Sequence, residues 1–390
     1  MTLSTAPQAS ALLGNYKRAP SELVDGDGVY LIDADGKRYL DFVSGIAVNA
    51  LGYGDAGLKQ AFHAAAEGLI HTSNLYATAP GEQLATSLVE KSFADKVFFC
   101  NSGAEANEGA FKFARRWART KGDAKHEIFS LRGAFHGRLF ATVAATDRPA
   151  YRIPFRPLAG GISVLERDIE DISIALDSDT AAALILEPVQ GEGGVRVLDK
   201  GFVRELRALT KERDVLLILD EIQCGLGRTG KVFAYEHFDI EPDMLTLAKP
   251  IAGGLPMAAV LMTEDVASTI KPGDHGTTFG GGPFVASVAN HVLDRVSDPA
   301  LLEQITANGE WMSEELNEIA HRTSHIRAVR GIGYMWGVDV TGTAAHVVNE
   351  AFNAGLLVCS AGEYTVRLLP PLVMTRGELK LGLGILEEVL

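Results

Sequence analysis

The sequence predicts an α/β protein built on a mostly parallel, doubly wound sheet. Three observations carry that expectation. Short apolar runs of strand length lack the alternation of a half-solvated strand, as a sheet covered on both faces requires. Stretches with helical periodicity separate the runs, so strand and helix alternate along the chain. Polar residues stand immediately after four of the runs, at the carboxyl ends where open parallel sheets bind their ligands.

In chain order the runs are Val97–Cys100, Glu127–Leu131, Ala182–Leu186, Val215–Leu219 and Met244–Ala248. Behind the first, Ala106, Ala110, Phe113 and Trp117 recur on one helical face. Phe202, Leu206 and Leu209 form another such face just before Val215. Asn101 follows the first run, Glu187 the third, Asp220 the fourth and Lys249 the fifth. Upstream, Gly26–Phe42 reads as a hairpin that turns at the DADG segment. Beyond Phe284 the pattern is helical through Ile319, with short strands expected around Arg327–Gly337 and Val366–Leu369. These elements imply a large domain over residues 56–283. A smaller α+β domain would be assembled from both chain ends, residues 1–55 and 284–390.

Of the 390 residues, 47% are hydrophobic and 22% charged, a balance that excludes wholesale disorder. With 36 basic against 50 acidic residues the net charge is −14, which argues against nucleic-acid or anionic-membrane binding. Small anionic substrates are still compatible, because a few buried arginines can hold them locally. Cys100, Cys224 and Cys359 are odd in number and far apart. They suit neither a disulfide framework nor a metal site, and they point to a reducing compartment. The N-terminal stretch MTLSTAPQASALLGNYKRAP lacks the basic start and long apolar core of a leader. No apolar run reaches the roughly 18 residues of a membrane span. A soluble cytoplasmic protein is the expectation.

Three motifs carry chemistry. In NSGAEANE (Asn101–Glu108), Ser102 and Glu105 have capping-box spacing, which starts a helix at about Gly103. Free amides at such a helix start, with the dipole behind them, bind phosphate. In LILDEIQCGLGRTG (Leu217–Gly230), Asp220 ends a buried strand, where a carboxylate is costly unless a cation pairs with it. The same segment contains G-x-G-x-x-G at Gly225–Gly230, the only support for a nicotinamide-dependent oxidoreductase. Four residues separate that loop from the strand, and KVFAYEHFDIEPD leaves little room for the helix such a unit needs. In TLAKPIAGG (Thr246–Gly254), Lys249 directly follows an apolar strand, and a buried lysine becomes a nucleophile for carbonyl groups. A phosphate cradle, a strand-end carboxylate and a strand-end lysine are together what pyridoxal phosphate requires.

With these motifs in place, the sequence resembles class III (ornithine-type) pyridoxal-phosphate aminotransferases along nearly its whole length. The matching stretches are GIAVNALG (Gly45–Gly52), FFCNSGAEANE, AFHGR (Ala134–Arg138), EPVQGEGG (Glu187–Gly194), LDEIQCGLGRTG, TLAK, HGTTFGG (His275–Gly281) and VRLLPPL (Val366–Leu372). The resemblance implies a fold-type-I transferase. It also implies an exchange between an ω-amine donor, foremost N-acetylornithine, and 2-oxoglutarate, as in arginine biosynthesis. Ornithine, succinylornithine, succinyldiaminopimelate and 4-aminobutyrate are the alternative donors.

By the same resemblance, Lys249 would hold the cofactor and later act as general base. Asp220 would pair with the pyridine nitrogen, Gln223 would bond the phenolic oxygen, and Glu221 and Ile222 between them would also border the cofactor. Gly103 and Ala104 would cradle the phosphate, and Phe135 would stack on the ring. Thr278 would complete the phosphate site from the neighbouring subunit of a homodimer, with Thr277 approaching the substrate. Arg367 would bind the α-carboxylate of glutamate or 2-oxoglutarate, and Arg138 the distal one. With the acylated donor, Arg138 would take its α-carboxylate while Glu192 neutralises Arg367. Neither spacing nor resemblance gives His136 a role, and it reads as structural. Two positions depart from the family pattern: Gly282 replaces a common asparagine, and Pro250 follows the lysine, which biases Lys249 towards extended backbone.

Overall fold

A computed structural model describes residues 11–390. The first ten residues of the stretch read for a leader lie outside the described residues. The centre is a seven-stranded sheet in the order Lys96–Cys100, Ala258–Met262, Met244–Leu247, Leu216–Asp220, Ala181–Leu186, Glu127–Leu131 and Ile162–Leu165. All five expected runs are strands of this sheet. Ala258–Met262 runs antiparallel to both its neighbours, and the other paired strands are parallel.

The continuous apolar runs are explained by burial on both faces. Leu184, Leu186, Leu217 and Leu219 point into one core, whereas Ile185, Leu216 and Ile218 point into a second. That second core includes Ala106, Ala110, Phe113 and Trp117 from the helix Gly103–Lys121. Each fully buried Leu or Ile contributes roughly 1.5–3 kcal/mol, so these strands have no polar alternative to the sheet interior. The helix Lys200–Glu212 starts at Asp199, whose side chain accepts the Phe202 amide.

Segments from the N-terminal and C-terminal parts of the described residues meet. Strands Leu23–Asp27, Tyr30–Asp33 and Arg38–Asp41 form an antiparallel sheet, and Leu356–Leu357 joins it parallel to Arg38–Asp41. At the expected turn, Asp33 accepts the amides of Asp35 and Lys37. A second small sheet runs Ile326–Ile332, Met335–Val340, Thr365–Leu368 and Cys359–Ser360. The helices Pro283–Val296 and Pro299–Arg322 account for the periodic stretch beyond Phe284.

The glycine-rich loop opens no long helix. Gly227 and Gly230 take φ of +88°, and only a short 3-10 turn, Ala234–Phe238, follows. The helix N-terminus that a dinucleotide pyrophosphate needs is therefore missing behind this loop. Among the described residues no helix is long and apolar enough to cross a membrane, and no cluster of His, Cys, Asp and Glu could hold a metal.

Candidate active site

A cavity of about 440 Å³ opens beyond the carboxyl ends of the sheet strands. Its wall includes Gly103, Ala104, Phe135, Arg138, Asp220, Ile222, Gln223 and Lys249. Eight of the residues singled out in the sequence thus share one space, although they are spread from position 103 to position 249.

At one end of the cavity the helix Gly103–Lys121 begins. Ser102 caps it by accepting the Glu105 amide at 3.3 Å. The reciprocal half of the capping box is displaced, because the Glu105 carboxylate accepts the Asn101 amide at 2.8 Å instead. The amides of Gly103 and Ala104 precede any possible intrahelical acceptor and face the cavity with the helix dipole behind them. A Cβ on Gly103 would lie 2.8 Å from Ile222 Cδ1, so this approach of backbone to side chain depends on glycine.

Asp220 ends the strand Leu216–Asp220, and its Oδ2 accepts two hydrogen bonds. Asn107 Nδ2 donates at 2.7 Å and His136 Nδ1 lies at 2.8 Å. Asn107 is fixed in turn by the hydroxyl of Thr246, which donates to its Oδ1 at 2.8 Å, and its Nδ2 also reaches the His136 carbonyl. Oδ1 of Asp220 accepts only the Ile222 amide, at 3.1 Å. His136, read as structural from the sequence, is therefore a positioning partner of the strand-end carboxylate. Asn107 was not singled out at all. Its place on the buried face of the helix, one residue beyond Ala106, is the signal that could have found it: a buried amide needs polar partners.

Glu187 is a further buried carboxylate on the cavity wall. It accepts the Phe135 amide at 3.0 Å and the Gly191 amide at 3.2 Å. Burial raises its pKa, His136 opposes the rise and Asp220 adds to it. Glu221 points elsewhere. Its carboxylate accepts the Ala234 and Tyr235 amides and caps the 3-10 turn there, outside the cavity wall, and burial raises its pKa to about 8. Alternation along the chain explains this: Asp220 and Ile222 face the cavity, so the side chain between them faces away. A cofactor contact for the Glu221 side chain does not follow from this arrangement.

Lys249 lies on the cavity wall, and among the described residues no hydrogen bond or ion pair holds its Nζ. The extended geometry that Pro250 was expected to impose is not found. Lys249 opens a 3-10 turn, Lys249–Ala252, and Ala248 absorbs the bend with φ −156° and ψ −103°. Proline is tolerated here because a first-turn amide has no intrahelical partner to lose. Burial lowers the Lys249 pKa, Asp220 works against that shift, and Arg367 adds to it.

This fixes a testable order of acidities. In the cofactor-free chain, acetic anhydride labelling of Lys249 should rise with pH at a midpoint below the usual value of roughly 10.4. Asp220→Asn removes a charge that favours the ammonium form and should move the midpoint further down. Arg367→Ala removes a like charge and should move it up. Mass-spectrometric quantification of the labelled peptide reads both shifts, and movement in the opposite senses would contradict the assignment.

Two arginines differ in state: Arg138 lines the cavity, whereas Arg367 and its partner Glu192 lie outside the cavity wall, and Arg367 reaches that wall through Gln223. Arg138 is exposed, with its guanidinium 3.9 Å over the Tyr151 ring. Stacking occupies the guanidinium face and leaves its in-plane N–H groups free for a carboxylate. Tyr151, which in turn packs edge-on against Phe135, is a second residue that the sequence did not reveal. Arg367, on the strand Thr365–Leu368, is buried and already paired. Its Nη1 lies 2.7 Å from Glu192 Oε1 and donates to Gln223 Oε1 at 3.2 Å, while Nε approaches the Cys359 sulfur at 3.4 Å. Glu192 sits in the turn of the hairpin formed by Val189–Gln190 and Arg196–Val197. Thr277 and Thr278 lie outside the cavity wall. The Thr277 hydroxyl accepts from Asn101 Nδ2 at 3.0 Å, and Thr278 is exposed.

These residues fit pyridoxal phosphate. The unpartnered amides of Gly103 and Ala104 suit its phosphate, the unpartnered amine of Lys249 its carbonyl, and Asp220 its pyridinium nitrogen. Phe135 supplies the aromatic wall.

The chain is similar to known proteins along nearly its whole length. The family model for class-III aminotransferases matches residues 14–390. An acetylornithine aminotransferase of Methanocaldococcus jannaschii is 42% identical over 376 residues, covering 96% of this chain and 94% of that protein. A mitochondrial acetylornithine aminotransferase of Alnus glutinosa is 45% identical over 385 residues, 97% of this chain and 85% of the relative. Among solved structures, the ornithine aminotransferase of Toxoplasma gondii superimposes with a TM-score of 0.93 at 29% identity, over 97% of this chain and 92% of that one.

Proposed function

The chain belongs to the class-III aminotransferases, and from that premise we propose that it transfers the terminal amine of N2-acetyl-L-ornithine to 2-oxoglutarate. The products are N-acetylglutamate 5-semialdehyde and L-glutamate. The observation that carries this reading is the ion pair between Arg367 and Glu192, 2.7 Å long, which lies behind the cavity wall and connects to it through Gln223, while the wall itself offers the unpaired edge of Arg138. One cation is masked and one is free. An enzyme that must bind a monocarboxylate donor and a dicarboxylate acceptor in turn needs such a difference. The two relatives that match at 42% and 45% identity carry the acetylornithine name.

Pyridoxal phosphate, when bound, supplies the carbonyl that exchanges amines and a ring that takes up electron density as the substrate C–H bond breaks. Lys249 would hold it through Nζ, and the same amine, once free, would take the proton from the donor's amine-bearing carbon, a role its lowered pKa suits. Asp220, oriented by Asn107 and His136, would pair with the ring nitrogen. Gly103 and Ala104 would hold the phosphate, and Phe135 would cover the ring. In the donor half-reaction Arg138 binds the α-carboxylate while Glu192 keeps Arg367 masked. In the second half-reaction 2-oxoglutarate displaces Glu192, and its two carboxylates take Arg367 and Arg138.

Thr278 and Thr277 serve the cavity of a second copy in a homodimer. Their loop supports this assignment, because it carries exposed Phe279 beside exposed Leu75 and Tyr76. Asn74 joins the two segments by donating to the carbonyls of Thr277 and Gly280. Large apolar side chains gathered on one surface suit burial against a partner. The compartment we infer is the cytoplasm, in keeping with three free thiols.

The test is an amino-donor panel with 2-oxoglutarate as acceptor. N-acetylornithine should give the highest kcat/KM, ahead of succinylornithine, ornithine and 4-aminobutyrate. A preference of tenfold or more for ornithine or 4-aminobutyrate would replace the donor while leaving the acceptor half intact.

A further inference from the structure

The Glu192–Arg367 pair joins two separate pieces of the fold: Glu192 comes from a hairpin turn and Arg367 from a strand of the small sheet. We propose that Arg330, held by Asp339, is the positioning residue that sets the register of these two pieces and hence the strength of the mask on Arg367. The inference rests on the reading above that Glu192 masks Arg367 during the donor half-reaction.

Arg330 lies on the strand Ile326–Ile332 and uses its whole guanidinium. Nη1 and Nη2 donate to Asp339 Oδ2 and Oδ1, each at 2.7 Å. This bidentate pair fixes the plane of the group. Nε then points at the carbonyl of Gly194, at 2.6 Å, and Nη2 reaches the hydroxyl of Thr365, at 3.1 Å. The Thr365 hydroxyl itself donates to Asp339 Oδ1. Gly194 is two residues after Glu192, and Thr365 is two residues before Arg367. A single guanidinium therefore ties down the base of each partner at the same distance along the chain. Gly194 has a φ of +100°, and a Cβ there would lie 3.0 Å from Arg330 Nη2 and 3.2 Å from Thr365 Oγ1. The close approach is thus built into the backbone as well as the side chains. Arg196 Nε adds a bond to the neighbouring Gly193 carbonyl at 3.2 Å, and its charge also acts on Asp339.

Loosening this clamp has opposite consequences for the two half-reactions. With the hairpin free to drift, Arg367 is exposed more often and competes with Arg138 for the donor's α-carboxylate, so the donor half weakens. The 2-oxoglutarate half improves, because less of its binding free energy goes into displacing Glu192. A general loss of structure would lower both.

Stopped-flow measurement of each half-reaction in the holoenzyme, for wild type, Arg330→Lys, Glu192→Gln and the double variant, tests this. Lysine keeps the charge but cannot span Asp339, Gly194 and Thr365 together. Arg330→Lys should raise the ratio of acceptor-half to donor-half specificity constants roughly five- to twentyfold. In the Glu192→Gln background it should change that ratio by less than about twofold, since the group it positions is gone. Equal losses in both halves, or an undiminished shift in the Glu192→Gln background, would overturn the role of Arg330. No shift from Arg330→Lys while Glu192→Gln shifts the ratio would do the same and leave the switch standing. No shift from Glu192→Gln itself would remove the switch, and this inference with it. If Arg330→Lys does not yield folded protein, Thr365→Val, which deletes the hydroxyl's bonds to Arg330 and Asp339 at nearly constant volume but leaves the Arg330–Asp339 and Arg330–Gly194 contacts, should move the ratio in the same direction by a smaller factor. An unmoved ratio there would count against the clamp equally.

Discussion

Lys249→Ala should lose essentially all turnover together with the near-visible absorbance of the bound cofactor. Two functions leave with one side chain: the covalent hold on the cofactor and the base that moves the substrate proton. General-base catalysis alone is worth about 10²–10⁴-fold, so with the covalent role added a fall of at least about 10⁴-fold is expected. The fold should survive. Nζ of Lys249 has no hydrogen-bond or ion-pair partner among the described residues, so its removal orphans nothing. Burial already disfavours its charged form, so thermal stability should hold or rise slightly. A small amine added to the medium should restore part of the proton transfer. Turnover within tenfold of wild type would remove Lys249 from both roles.

Asp220→Asn has the second-largest expected effect. The Asp220 Oδ2 atom accepts from both Asn107 and His136, so the asparagine must keep its carbonyl oxygen on that side. Its amide group then falls on the Oδ1 side, opposite the Ile222 amide, where it would also oppose a protonated ring nitrogen. A charge-assisted contact becomes a neutral one with a donor wrongly placed. Removing one partner of a buried ion pair costs roughly 3–5 kcal/mol, about 150- to 5000-fold in rate. Circular dichroism and melting should change little, because the substitution keeps shape and two of three hydrogen bonds. A variant that abstracts the substrate proton at near wild-type rates would mean that another carboxylate tunes the ring, and Glu187 is the one nearest to hand.

Much of this site could be read without coordinates because its residues occupy positions with a local signature. Asp220 ends an apolar strand, Lys249 stands two residues beyond another, and Gly103 follows a capping serine. Such features depend on neighbours in sequence. The residues that escaped depend on neighbours in space. Asn107 and His136 meet at Asp220 from positions 113 and 84 residues away. Tyr151 gains its meaning only because Arg138 lies across its face. In the sheet, Ala258–Met262 was hidden within a continuous apolar stretch beginning at Pro250, where the turn Lys249–Ala252 and the glycines after it break what periodicity cannot divide. Ile162–Leu165, at the sheet edge, is only half-buried along its length and so lacks the uniform apolar run of the central strands. Pro250 shows the converse limit. The preference of a pre-proline residue is local, and the packing around Lys249 overrode it by shifting the bend to Ala248.

The central claim is that the amine of Lys249 holds the cofactor in a cavity framed by Asp220 and the start of the helix Gly103–Lys121. The most direct measurement is sodium borohydride reduction of the purified holoenzyme, which fixes the cofactor to the amine that carries it, followed by proteolysis and mass mapping. The account predicts one modified peptide, with the added mass on Lys249 and a stoichiometry approaching one per chain. Modification centred on any other lysine would contradict it.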